Sequence, residues 1–193
     1  GPGHEADRAI AYIKNDGGEY RDPKRPFALV VSMNPPHTPY SLVPQEYVKK
    51  YAGKSTEDLC NRPNIPPASN KMGKKYRKDI RNYFAMVTGI DEQFGRIMSA
   101  LSSQGLEKNT IVLFTSDHGN CLGIHGQVTK NNHYEESMRI PFMLRWPGRI
   151  APRHADSSAP TSPVPLHLAP ELVELVPELG HHLGQKTDAE ENR

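Results

Sequence analysis

The residues with the clearest capacity for chemistry follow one apolar run. Residues 111–115 are apolar and mostly β-favouring, and the chain then changes abruptly to the polar pair Asp117 and His118. A run of this length is typical of a buried strand, so the pair would stand at the C-terminal tip of that strand. Ligands of open α/β sheets bind at that edge. A carboxylate and an imidazole placed there are candidate ligands of a divalent metal ion.

Two further groups of polar residues are predicted at the same edge. His125, Lys130 and His133 follow the pair among glycines and asparagines, and Lys130 supplies a cation that suits an anionic ligand. Residues 27–33 form a second run that is apolar on both faces, as in a strand covered on both sides. Three prolines fix the backbone around His37, just beyond that run. Together these groups predict a metal-assisted site for an anionic group.

The elements that must position these residues follow a strand–helix–strand pattern. Between the runs 27–33 and 111–115, apolar residues recur at helical spacing over residues 80–101. Residues 140–146 predict another strand. Such a crossover implies parallel pairing, so the predicted fold class is α/β, with a mostly parallel sheet flanked by helices. Shorter helices are predicted over residues 5–15 and 44–51.

The rest of the chain is less regular. Residues 53–75 lack periodicity and predict a long surface excursion, which ends in a basic stretch: Lys71, Lys74, Lys75, Arg77, Lys78 and Arg81. This stretch is either a solvated face or a rim that attracts an acidic substrate. Residues 1–150 are expected to form one domain. Residues 151–193 are expected to be a linker, short helical pieces over 166–179 and a disordered tail from 186.

Composition argues against some classes of protein. A net charge of +2 over 193 residues argues against a dedicated nucleic-acid binder. No apolar run approaches the roughly 20 residues that span a membrane, and no secretory signal is visible. Cys60 and Cys121 could pair, but two cysteines make no disulfide framework, which favours free thiols.

Several motifs, in order and spacing, resemble those of the type I sulfatases, which are arylsulfatase-like members of the alkaline-phosphatase superfamily. The segments that carry the resemblance are residues 35–40 (PPHTPY), 115–119 (TSDHG), 122–126 (LGIHG) and 134–141 (YEESMRIP). The resemblance extends over about residues 5–150. It implies the superfamily's mostly parallel sheet sandwiched by helices, present here incompletely, as the second part of a catalytic domain.

The resemblance also implies roles for single residues. Asp117 and His118 would be ligands of a divalent cation, with calcium expected and magnesium the alternative. His37 would hydrogen-bond the sulfate ester and help protonate the leaving oxygen. Lys130 would contact the sulfate and neutralise charge that develops on the bridging oxygen. His125 would contact substrate beside them.

One departure from the family pattern bears on activity. The nucleophile of the family is a formylglycine made from Cys or Ser in a Cys/Ser-x-Pro-x-Arg motif, and neither Cys60 nor Cys121 begins such a motif. The prediction is therefore a sulfuric ester hydrolase whose nucleophile lies upstream, with this chain inactive alone. Its substrate would be an aryl or carbohydrate sulfate, with no nucleic-acid or membrane partner. By resemblance, its location would be periplasmic, secreted or lysosomal.

Three alternatives remain open from the sequence. A phosphomonoesterase or phosphodiesterase of the same superfamily would share the Asp-His-Gly motif at residues 117–119. A sulfatase-like binding protein would keep the fold without the chemistry. A non-catalytic zinc module would use Asp117, His118, Cys121 and His125, although their spacing matches no usual zinc finger.

Overall fold

The computed structural model describes residues 1–152, in which helices outweigh strands. The helices are α1 (Pro2–Lys14), α2 (Gln45–Lys49), α3 (Lys71–Ser103) and α4 (Glu135–Met138), and the strands are β1 (Val112–Thr115) and β2 (Phe142–Arg145). No helix in this part of the chain combines the length and the apolar content needed to cross a bilayer. The pieces predicted over 166–179 and the tail from 186 lie outside the described residues.

Helix α3 is the longest element and begins nine residues before the apolar periodicity predicts. Its N-cap is Asn70, whose side-chain oxygen accepts a hydrogen bond from the Met72 backbone N–H at 2.8 Å. Lysine and arginine are good helix formers, so the basic stretch continues the helix although it carries little apolar surface. An ion pair one turn apart, Lys75 to Asp79 at 2.7 Å, adds to this first part of α3.

Two apolar cores lie along α3. The core at its C-terminal half forms against α1 and contains Ala6, Ala9, Ile13, Ile97, Ala100 and Leu101. The core at its N-terminal half gathers the loops and contains Tyr40, Val43, Tyr47, Leu59, Tyr76, Ile80, Ala85, Met86, Leu122 and Ile124. Because Tyr40 and Leu122 belong to the loops that carry the predicted site residues, this second core fixes those loops against α3.

The sheet differs from the prediction. Strands β1 and β2 pair antiparallel, with Val112 opposite Arg145 and Thr115 opposite Phe142. Residues 27–33 form no strand, so the predicted parallel strand–helix–strand unit and mostly parallel sheet are not present within residues 1–152.

The physical reason lies in what residues 27–33 can contact. Phe27, Val31 and Met33 pack against the core between α1 and α3, whereas Val30 on the other face is 92% exposed. A strand is stabilised by hydrogen bonds to a neighbouring strand, and no strand of the described residues pairs with this segment. Both faces of this segment carry apolar side chains, but only one face is partly buried.

Candidate functional site

Asp117 and His118 lie directly beyond β1, where the sequence predicts them. Nδ1 of His118 lies 2.7 Å from the Gly119 carbonyl oxygen. Because that oxygen can only accept, Nδ1 carries a proton, and Nε2 is the ring atom left facing Asp117. Nε2 lies 3.3 Å from Oδ2 of Asp117, whose other oxygen accepts the His118 backbone N–H at 3.0 Å.

The hydrogen bond of the His118 ring is a feature that fits a divalent cation. Metal-binding histidines commonly donate one ring N–H to a backbone carbonyl, as Nδ1 of His118 does here, which leaves the other ring nitrogen to face a ligand. The Asp117 side chain is 83% exposed, so its carboxylate is open to a ligand. Within residues 1–152, no three His, Cys, Asp or Glu side chains cluster closely enough to hold a metal ion. These two side chains alone therefore make no complete metal site among the described residues.

Cys121 does not take part in this pair. Both cysteines are free thiols, Cys121 is fully buried, and its sulfur contacts the Asn132 side chain at 3.6–3.7 Å. Burial raises the pKa of the Cys121 thiol, which disfavours the thiolate that zinc binds. The zinc module proposed from Asp117, His118, Cys121 and His125 has no matching cluster among the described residues.

Gly119 fixes the tip of β1 against α4. Its backbone N–H donates to the Ser137 carbonyl at 2.8 Å. A methyl group at Gly119 would overlap the Glu136 carbonyl oxygen and lie 3.0 Å from the Arg139 carbonyl oxygen. Only glycine allows the backbone of the Asp117–His118 turn to approach α4 so closely.

The loop that carries His37 is held to the same turn. Asn120 donates from its side-chain amide to the Tyr40 hydroxyl at 3.2 Å, and Tyr40 is buried, with its ring edge-on to Tyr83. Burial raises the pKa of Tyr40, so the hydroxyl stays protonated. His37 itself is exposed, and its Nδ1 lies 2.8 Å from the Thr38 carbonyl oxygen. By the same tautomer argument, Nε2 is the ring atom left available for a ligand.

Lys130 lies on a loop that returns to the β1 tip. The Cys121 backbone N–H donates to the Thr129 carbonyl at 2.8 Å, next to Lys130. Lys130 is half-buried, and none of the ion pairs among the described residues includes it. An ammonium without a carboxylate partner is suited to an anionic ligand.

His125 is the most constrained of the predicted residues. Its Nε2 lies 3.1 Å from Glu136 Oε2 and 2.8 Å from the Asn64 side-chain amide, and its ring stacks on Tyr134 at 4.0 Å between centroids. Burial raises the pKa of Glu136, but the hydrogen bond from Asn64 and the charge of His125 outweigh it and lower that pKa overall. A substrate contact by His125 is therefore confined to Nδ1.

Two residues beside the site, Asn64 and Asn120, were not predicted from the sequence. Asn64 lies in the surface excursion, 61 residues from His125, and no local pattern marks it. Asn120 directly follows the Asp-His-Gly motif, so its position next to the site could have indicated a role.

Comparisons with known proteins agree on one family. The family model described as Sulfatase matches residues 6–179. An endo-4-O-sulfatase of Bacteroides thetaiotaomicron is 42% identical over 159 residues, which cover 80% of this chain and 30% of that protein. An iduronate 2-sulfatase of Mus musculus is 40% identical over 118 residues, which cover 61% of this chain and 21% of that protein.

A solved structure is similar to this chain in fold as well as in sequence. The crystal structure of yidJ from Bacteroides fragilis, described as a sulfatase, is 52% identical and superposes with a TM-score of 0.74. The match covers 81% of this chain and 33% of that chain. The chain thus spans a third or less of the length of these relatives.

Proposed function

This chain belongs to the sulfatase family, and we propose that the whole protein hydrolyses a sulfate ester carried by a carbohydrate. The match of the family model over residues 6–179 carries this proposal. The names of the relatives support the carbohydrate, since iduronate is a sugar acid. Because the chain spans a third or less of its relatives, the activity is proposed for the whole protein.

Asp117 and His118 are proposed to hold a divalent cation. The support is the hydrogen bond from Nδ1 of His118 to the Gly119 carbonyl oxygen, which leaves Nε2 3.3 Å from the Asp117 carboxylate. A bound cation would supply positive charge to the oxygens of the sulfate group. We propose calcium, with magnesium as the alternative, although a nitrogen ligand is softer than calcium prefers. The remaining ligands are proposed to come from other parts of the whole protein.

His37 and Lys130 are proposed to act on the leaving oxygen. Sulfate ester cleavage releases an alkoxide, which is a poor leaving group unless it receives a proton or a nearby cation. Nε2 of His37 is the ring atom available to carry that proton, because Nδ1 donates to Thr38. Lys130 has an ammonium without a carboxylate partner among the described residues and would neutralise the developing charge.

His125 has a positioning role as well as its proposed substrate contact. Its stacking on Tyr134 and its 3.1 Å contact with Glu136 hold the loop before Lys130 to α4. The formylglycine nucleophile and the neighbours that would convert residues 27–33 into a strand of a mostly parallel sheet are proposed to lie in the rest of the whole protein. We also propose that the whole protein is periplasmic, secreted or lysosomal.

The test is release of inorganic sulfate from a sulfated oligosaccharide by the whole protein, measured by ion chromatography. Lys130→Ala is expected to lower kcat/KM by about 100-fold or more, because transition-state charge stabilisation of this kind is typically worth that much. Lys108→Ala is the matched control, since it removes an exposed lysine between α3 and β1. Phosphate release from phosphate esters without sulfate release would overturn the proposal.

A further inference from the structure

A surface rich in positive charge lies on the first turns of α3. We call Lys71, Lys74 and Lys78 the basic ridge. They are exposed, they follow one another at helical spacing, and none of the ion pairs within residues 1–152 includes them. Between positions 71 and 81 the chain carries six cationic side chains and one carboxylate, Asp79.

The basic ridge lies at the end of α3 that adjoins the proposed site. Val112, at the start of β1, packs against the core at the C-terminal half of α3, whereas Leu122, beyond the tip of β1, belongs to the core at its N-terminal half. At Gly123, a methyl group would stand only 2.8 Å from the Met72 carbonyl oxygen, so this loop touches the first turn of α3. The ridge therefore lies at the same end of α3 as the loop that follows Asp117 and His118.

The placement of these lysines destabilises the N-terminal end of α3. The N-terminal end of a helix is the positive end of its dipole, which favours carboxylates, and the first turn of α3 has none. Lysines three and four positions apart also repel one another. Both unfavourable terms diminish when an anion lies along the ridge, so this surface is better suited to a polyanion than to water.

We propose that the basic ridge binds further anionic groups of the same glycan, on sugar units beyond the one that is cleaved. The inference rests on the proposed function, and it narrows the substrate to a polyanionic saccharide chain rather than a small aryl sulfate. From Lys71 to Lys78 the helix rises about 10 Å, which is long enough to contact more than one charged group of an extended chain.

The experiment measures binding without turnover, so its outcome is separate from that of the hydrolysis test. The 193-residue chain is titrated with chondroitin sulfate, and the variant Lys71→Gln/Lys74→Gln/Lys78→Gln is compared with the control Lys14→Gln/Lys24→Gln/Lys108→Gln. All six lysines are exposed, and both variants lose the same net charge. The ridge variant is expected to bind about tenfold more weakly and the control within twofold of the wild type, since exposed charge pairs each contribute modestly.

The salt dependence of the affinity is a second measurement, which remains informative if the variant changes slightly in fold. The slope of log affinity against log salt is expected to become shallower in the ridge variant only, because fewer counterions are released. Equal affinities of the ridge and control variants would overturn the proposal. So would binding to chemically desulfated chondroitin as tight as to chondroitin sulfate, or tighter binding to duplex DNA.

Discussion

Gly119→Ala tests whether the turn that carries Asp117 and His118 is held in place by its close approach to α4. The added methyl group would overlap the Glu136 carbonyl oxygen and lie 3.0 Å from both the Glu136 carbonyl carbon and the Arg139 carbonyl oxygen. All three are backbone atoms, so no change of rotamer relieves the overlap. The turn must move away from α4, which also lengthens the 2.8 Å hydrogen bond from Gly119 to Ser137.

The expected cost combines two effects. Overpacking against backbone costs about 1–3 kcal/mol, and loss of a buried hydrogen bond adds about 1 kcal/mol. Gly119→Ala is therefore expected to lower the free energy of unfolding by about 2–4 kcal/mol. Gly95→Ala is the matched control. Gly95 lies inside α3, a methyl group there meets no atom within 4 Å, and the change should stabilise the chain by about 0.5–1 kcal/mol.

Urea denaturation of the 193-residue chain, followed by circular dichroism, measures both variants against the wild type. The two substitutions add the same methyl group, so the opposite signs expected for them come from position alone. A Gly119→Ala variant within 0.5 kcal/mol of the wild type would refute the close approach of this turn to α4.

Three further predictions concern buried polar groups. Burial raises the pKa of Tyr76 to about 12 from its ordinary 10.0, so the free energy of unfolding should fall by about 1.4 kcal/mol per pH unit between pH 10 and 12, and Tyr76→Phe should reduce that slope in pH-dependent denaturation. Asn64→Ala removes a hydrogen bond that lowers the pKa of Glu136, so the pKa of Glu136 should rise in a carbon-13 NMR titration. Ionised Glu136 contributes stability above its unfolded-state pKa, and this stability is lost as pH falls through its folded-state pKa. In the variant this contribution should be smaller. Tyr40→Phe leaves the Asn120 amide without its 3.2 Å acceptor and should cost about 1 kcal/mol in thermal denaturation; no change would mean that this contact does not hold the two loops together.

The sequence predicts the local elements well where periodicity is strong. The helix predicted over 80–101, the strand over 111–115 and the strand over 140–146 are confirmed within one to two residues at most ends, but α3 begins earlier because Asn70 caps a basic turn without an apolar stripe. The family resemblance drawn from the ordered motifs is confirmed by the match over residues 6–179.

Contacts between distant residues could not be predicted in the same way. The pairing of β1 with β2 is antiparallel, and residues 27–33 remain unpaired, because strand pairing depends on which neighbours are present rather than on the apolar pattern. The contact of Asn64 with His125 also depends on how the surface excursion folds back. The roles of His37, His125 and Lys130 stay predictions, and so do those of Asp117 and His118.

The metal content of the whole protein is the most direct measurement of the proposed site. After dialysis against calcium-containing buffer, elemental mass spectrometry of the wild type should find about one calcium per molecule, together with release of sulfate from a sulfated oligosaccharide. Asp117→Ala should lose both the metal and the activity, whereas Asp91→Asn, which alters an exposed carboxylate on α3, should keep both. An Asp117→Ala protein that retains its calcium and its sulfate release would contradict the proposed site.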